Sequence, residues 1–130
     1  MFRFDKSGLQ DIVEPGLSNL RHFSDRLHQD FERIERLSVQ AHTDRFGSDK
    51  YNEQLSLRRA ESIKEFLVQA GVPEPVIDVR AMGSLRPLVR CPGPQSKETI
   101  KCLAPNRRFE IQVDGLPRRA SSTQGGGTQP

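Results

Sequence analysis

Tryptophan is absent from this 130-residue chain and tyrosine occurs once, at Tyr51. The sequence shows no exposed aromatic strand pair of the kind on which RNA-recognition modules stack bases. Apolar runs are short, with Phe66 to Val68 among the longest, so nothing approaches the ~20 apolar residues of a membrane-spanning helix. No apolar stretch follows Met1, which argues against a secretory signal. A methionine opening directly onto Phe2-Arg3-Phe4 reads as a domain cut from a longer protein. Catalytic signatures such as GxSxG, HExxH or GxxxxGK are missing. His22, His28 and His42 are scattered, and the only cysteines, Cys91 and Cys102, form no close pair, so neither a zinc site nor another cofactor is expected. A large charge excess is lacking too. The 20 basic and 17 acidic residues leave +3, of which Arg118 and Arg119 supply two. Both signs alternate along most of the chain, which suits a solvated surface better than a nucleic-acid footprint.

What is present is enough for one core: 34% hydrophobic and 28% charged residues, a soluble globular composition for a single domain. Hydrophobic period then divides the chain. Phe2 and Phe4 flank Arg3 as a short strand. Leu17, Leu20, Phe23, Leu27 and Phe31 lay an apolar stripe on a helix after Pro15. Leu37, Val39 and Ala41 alternate with polar residues as a second strand. A longer helix is expected from Ser48 to Ala70, with Ala60, Ile63, Leu67 and Ala70 on one face and Gly71 and Pro73 ending it. Ile77 to Ala81 and Phe109 to Val113 supply two further strands. The order β-α-β-α-β-loop-β predicts an α+β fold of two layers, with helices on one face of a mixed four-stranded sheet. The domain is expected over 1–116. Residues 117–130, with no Leu, Ile, Val, Phe or Tyr and three consecutive glycines, are expected to be a disordered tail.

The stretch from Leu85 to Asn106 is long for a loop inside a compact domain. Cys91 and Cys102 bracket much of it, with Pro92, Gly93 and Pro94 between them. A disulfide staple in an oxidising compartment is the preferred reading, and two free cytosolic thiols the alternative.

The chemistry-bearing stretch is Ala41 to Ala60, AHTDRFGSDKYNEQLSLRRA. Asp44 follows a strand, and Gly47 allows a tight turn. Asn52, Ser56 and Arg59 share one helix face, because seven residues make nearly two turns. If the turn folds the helix back beside the strand end, a carboxylate, an amide and a guanidinium fork converge. Such a set suits a zwitterion, with Asp44 holding an ammonium and Arg59 clamping a carboxylate. The alternative is a structural salt bridge between Asp44 and Arg59. His42 is read as a hydrogen-bonded structural residue rather than a general base.

The motifs HTD, FGSDKYN, LSLRRA and NRRFEI, with the opening FRFDKSGL, together resemble the OmpA-like peptidoglycan-binding domain over roughly residues 2 to 115. The resemblance implies a non-catalytic periplasmic domain, attached to the outer membrane in the full-length protein. Such a domain grips the diaminopimelate of the peptidoglycan stem peptide and takes no nucleic acid. It also implies that Asp44 and Arg59 are the principal ligands, with Asn52, Arg107 and Asp5 in support, and it allows a homodimer. The cysteine pair ahead of NRR resembles a loop disulfide found in outer-membrane members of the family. Two departures stand out: Ala41 where glycine is usual, and Phe46 where smaller or polar residues are common. The rival reading is a cytosolic nucleic-acid module on a similar β-α-β sheet. A hydrolase using His42 and Asp44 lacks a nucleophile.

Overall fold

The structure, a computed structural model, describes residues 6–118. After a 3-10 turn at Leu9–Asp11 come helix α1 (Gly16–Asp30), strand β1 (Phe31–His42), helix α2 (Asp49–Gln69), strand β2 (Ile77–Gly83), the short helix α3 (Lys97–Cys102) and strand β3 (Phe109–Pro117). Among the described residues the sheet has three strands in the order β2-β1-β3, parallel between β1 and β2 and antiparallel between β1 and β3. The expected strand at Phe2 to Phe4 lies outside the described residues, as does Asp5.

Strand alternation accounts for the two faces. Across the sheet, Leu37 meets Ile77 and Val113, Val39 meets Val79 and Ile111, and Ala41 meets Ala81 and Phe109. Three apolar rows therefore cover one face, and Leu20 and Leu27 of α1 join Ala60, Ile63 and Leu67 of α2 against them in one core. The intervening rows, such as Gln40 with Arg80 and Glu110, are polar. α2 begins where its sequence says it should: the Ser48 side chain accepts from the Tyr51 amide at 3.0 Å. Beyond its end Gly71 has φ +106°, a conformation that ends helices at little cost only for glycine.

Three expectations are corrected. Phe31 is the first residue of β1 rather than the end of the helical stripe. Its amide still bonds to the Leu27 carbonyl, closing the last turn, while its own backbone is extended at φ −122°, ψ 132°, so helical spacing survives into the strand. β1 is also longer than the Leu37 to Ala41 alternation. Its first half pairs with the end of β3 through register shifts between Phe31 and Arg33 and between Ile34 and Arg36. These bulges break the two-residue period by which a strand is recognised. A Cβ on Gly115 would collide there with the Arg33 carbonyl, so the close approach needs a glycine. Finally, β3 extends beyond the Phe109 to Val113 alternation, through Pro117, and the Arg118 amide donates to the Asp30 carbonyl at 2.8 Å. Residues 119–130 lie outside the described residues.

The long loop carries structure of its own. Cys91 and Cys102 are joined as a disulfide. α3 lies inside the staple and is capped by Ser96, whose hydroxyl accepts from the Thr99 amide. Asn106, 2% exposed, ties the loop's two limbs together: its side chain accepts from the Leu88 and Val89 amides and donates to the Val89 carbonyl.

Candidate functional site

The site forms where β1 runs out of sheet. The His42 amide still bonds to the Arg108 carbonyl, and the Thr43 amide to that of Gly83, each at 2.8 Å. One residue later Asp44 is only 4% exposed. One of its carboxylate oxygens accepts from the Phe46 amide at 3.1 Å and the other from Arg107 Nη1 at 3.0 Å. Arg107 comes from the NRR segment before β3, is itself buried, and also donates to the Ile100 carbonyl at 3.0 Å. The turn back into α2 passes through Gly47 at φ +98°, where a Cβ would stand 3.0 Å from the Tyr51 ring and 3.3 Å from the Asn52 side-chain oxygen. Glycine is needed there for conformation and for space.

From α2, Asn52 donates to the Asp44 carbonyl at 3.4 Å. Arg59 has no measurable exposure (0%), and its Nε and Nη1 donate to the Lys6 and His42 carbonyls at 2.7 and 2.9 Å. A buried guanidinium is costly to desolvate unless its N–H groups are met, and carbonyls on two separate chain segments help to meet them. Ser56, on the same helix face, accepts instead from the Gly83 amide at 3.0 Å, so it secures β2 to α2 and does not line the site. Asp44, Asn52, Arg59 and Arg107 thus come together around a cavity of about 390 Å3. The alternative reading, a salt bridge between Asp44 and Arg59, is not the arrangement found. Asp44 pairs with Arg107, and Nε and Nη1 of Arg59 bond to backbone carbonyls.

Thr43, Phe46, Gly47, Tyr51, Leu55 and Gln95 complete the lining. All but Gln95 fall within the HTD, FGSDKYN and LSLRRA motifs, and of them Phe46 and Gly47 are singled out in the sequence. Leu55 is three residues after Asn52 and so shares its helix face, a signal that was available. Gln95 reaches the cavity from inside the disulfide loop, and no spacing rule foretells that. The cavity therefore joins polar groups at Asp44, Arg59 and Arg107 to apolar surface from Phe46 and Leu55.

His42 departs from expectation. It is 1% exposed, yet neither ring nitrogen has a hydrogen-bond partner. Burial, followed by the nearby Arg108 cation, lowers its pKa below the usual imidazole value against an opposing pull from Glu110. The 3.7 Å approach of its Nε2 to Glu110 is accordingly a contact of a neutral ring. Glu110 answers chiefly to Arg108, whose hydrogen bond holds its carboxyl below the ordinary range. Among the described residues no cluster of His, Cys, Asp and Glu is placed to hold a metal ion, and no helix is long and apolar enough to cross a membrane.

A model of the OmpA family matches residues 1–101. The chain is 34% identical over 123 residues to outer membrane protein A of Escherichia fergusonii, covering 89% of this chain and 48% of that protein. It is 36% identical over 128 residues to outer membrane protein A of Klebsiella pneumoniae, covering 95% of this chain and 36% of that protein. It thus spans about a third to a half of the length of these relatives. Its fold is that of the peptidoglycan-associated lipoprotein from Burkholderia pseudomallei (TM-score 0.65, 22% identity, 87% of this chain and 86% of that one). It is also that of the OmpA-like domain of FopA1 from Francisella tularensis (TM-score 0.63, 21% identity, 92% and 72%). The chain belongs to the OmpA family.

Proposed function

We propose that this domain binds peptidoglycan non-covalently through the diaminopimelate of the stem peptide and so anchors the outer membrane to the cell wall from the periplasmic side. The observation that carries the proposal is the buried convergence of Asp44, Asn52, Arg59 and Arg107 on one cavity. Family membership and the name of the peptidoglycan-associated neighbour agree with it.

The chemistry fits a zwitterion on an aliphatic chain. An ionised carboxylate offers about four acceptor positions. Arg107 and the Phe46 amide take two of those on Asp44, and a ligand ammonium meets the remainder. Arg59 presents its guanidinium to the cavity in an orientation fixed by the Lys6 and His42 carbonyls, so a ligand carboxylate meets an ordered partner and little rotamer entropy is lost on binding. Phe46 and Leu55 cover the methylene chain. Asp5 is assigned a supporting role from the sequence alone. The wall-binding unit is the chain up to Arg118, and residues 119–130 are dispensable for it.

Co-sedimentation with purified sacculi tests the reading. The chain is expected to pellet with diaminopimelate-type walls and to remain in solution with walls whose stem peptide carries lysine, which has the amine and lacks the second carboxylate. Equal pelleting with both wall types, or with neither, would overturn it.

A further inference from the structure

A second cavity, of about 500 Å3, shares Thr43 with the first, and its other lining residues are different. Leu103, 1% exposed, and the disulfide-bonded Cys91 give it an apolar floor, with Pro87 and Val89 beside them. Arg45 and Arg90 add positive charge, and no carboxylate lines it. Arg45 is held in place by Nη2 bonds to the Cys91 and Gly93 carbonyls at 2.8 and 2.6 Å. Those acceptors fix its position without cancelling its charge. Arg90 is exposed and has no ion partner among the described residues. Between Asp78 and Glu98 the sequence contains no acidic residue.

We propose that this cavity docks an acidic peptide segment of a partner protein, with one leucine-sized side chain in the apolar pocket and flanking carboxylates on Arg45 and Arg90. Charge complementarity selects the acidic partner. Concavity selects a peptide side chain over a lipid surface: a bilayer would touch the protruding Leu85 and Leu88, 79% and 62% exposed, and leave the space above Leu103 unfilled. The cavity is distinct from the wall-binding site, although Thr43 lines both and Arg45 stacks on the Phe46 ring at 4.5 Å.

The test is an NMR titration of the 15N-labelled 130-residue chain with the capped peptide Ac-Asp-Glu-Leu-Leu-Glu-Asp-NH2 and with its counterpart carrying Lys at every acidic position. The acidic peptide is expected to shift the Thr43, Ser84, Val89 and Leu103 amides saturably and the basic one to leave them unmoved. Arg90→Glu is expected to weaken binding at least tenfold while sacculus pelleting is unchanged. Val89→Trp, which fills the pocket, is expected to abolish the shifts. Three results would overturn the proposal. These are equal shifts with both peptides, no shift with either while phosphatidylethanolamine–phosphatidylglycerol vesicles bind the chain through Leu85 and Leu88, and shifts of the same amides on concentrating the chain alone, which would make a second copy the occupant.

Discussion

The two halves of α2 are equally dry and chemically opposite. From Ala60 onward its inward face is Ala60, Ile63 and Leu67, each with no measurable exposure (0%). Before that point the same face presents Asn52, Ser56 and Arg59, exposed by 1%, 0% and 0%. The apolar half needs only volume from its surroundings, and the sheet's apolar rows supply it. The polar half needs a named partner for each group: the Asp44 carbonyl for Asn52, the Gly83 amide for Ser56, and the Lys6 and His42 carbonyls for Arg59. Burying such groups is a poor route to stability, since apolar residues of similar volume often serve as well or better. The difference between the halves separates the one that fills the core from the one that, on the proposed function, faces the ligand.

The comparison can be broken most forcefully in the apolar half. Leu67→Ala or Ile63→Ala should cost about 2 to 5 kcal/mol by urea denaturation, while the fraction that stays folded binds sacculi as before. Loss of binding by a fully folded variant would mean that the two halves are not separable. In the polar half, Asp44→Ala should remove affinity and stability together. It takes the carboxylate from a pair whose side chains are 5% and 7% exposed, a loss on the order of 3 kcal/mol. A stable, non-binding Asp44→Ala chain would show that the Arg107 pair contributes nothing to the fold.

Reduction of Cys91–Cys102 should cost about 2 to 3 kcal/mol by loop closure, and hydrogen exchange should place the effect. The Leu88 and Val89 amides, bonded to Asn106, should exchange faster than amides in the second half of α2. Uniform acceleration would contradict the division.

The smallest effect expected is that of pH. Because the native pKa of His42 is lowered by burial and by Arg108, the native state binds fewer protons than the unfolded chain in the imidazole range. Stability is therefore full above about pH 6.5 and falls as pH drops through that value toward the lowered one. A His42→Gln chain should show a flatter melting-temperature profile between about pH 5 and 7. The depressed Glu110 acts in the same direction in a lower, carboxylate window, so the two are distinguishable.

The apolar half was legible in the sequence because periodicity reports burial whatever the partner. Ala60, Ile63 and Leu67 pointed inward from spacing alone, as did the alternation of Leu37, Val39 and Ala41. The polar half was legible as a set of residues but not as a set of bonds. Nothing in the spacing of Asp44 and Arg107, 63 positions apart, distinguishes Arg107 from Arg59 as the carboxylate's partner, since that choice depends on how the loop before β3 returns to the end of β1. Gln95 was hidden for the same reason. Phe31 and the first half of β1 were misread because a shared backbone bond and two bulges disguise the change of period.

The central claim is that Arg59 meets a ligand carboxylate while the Asp44 end of the site holds an amine. A double-mutant cycle by calorimetry tests it most directly, with wild type and Arg59→Lys each titrated with L-Ala-γ-D-Glu-meso-diaminopimelate and with the lysine-containing analogue. Arg59→Lys keeps the charge and loses the planar fork, and circular dichroism at the same temperature checks its fold. The account requires wild type to favour the diaminopimelate peptide at least tenfold and the folded variant to lose most of that preference. An undiminished preference in folded Arg59→Lys, or no preference in wild type, would contradict it.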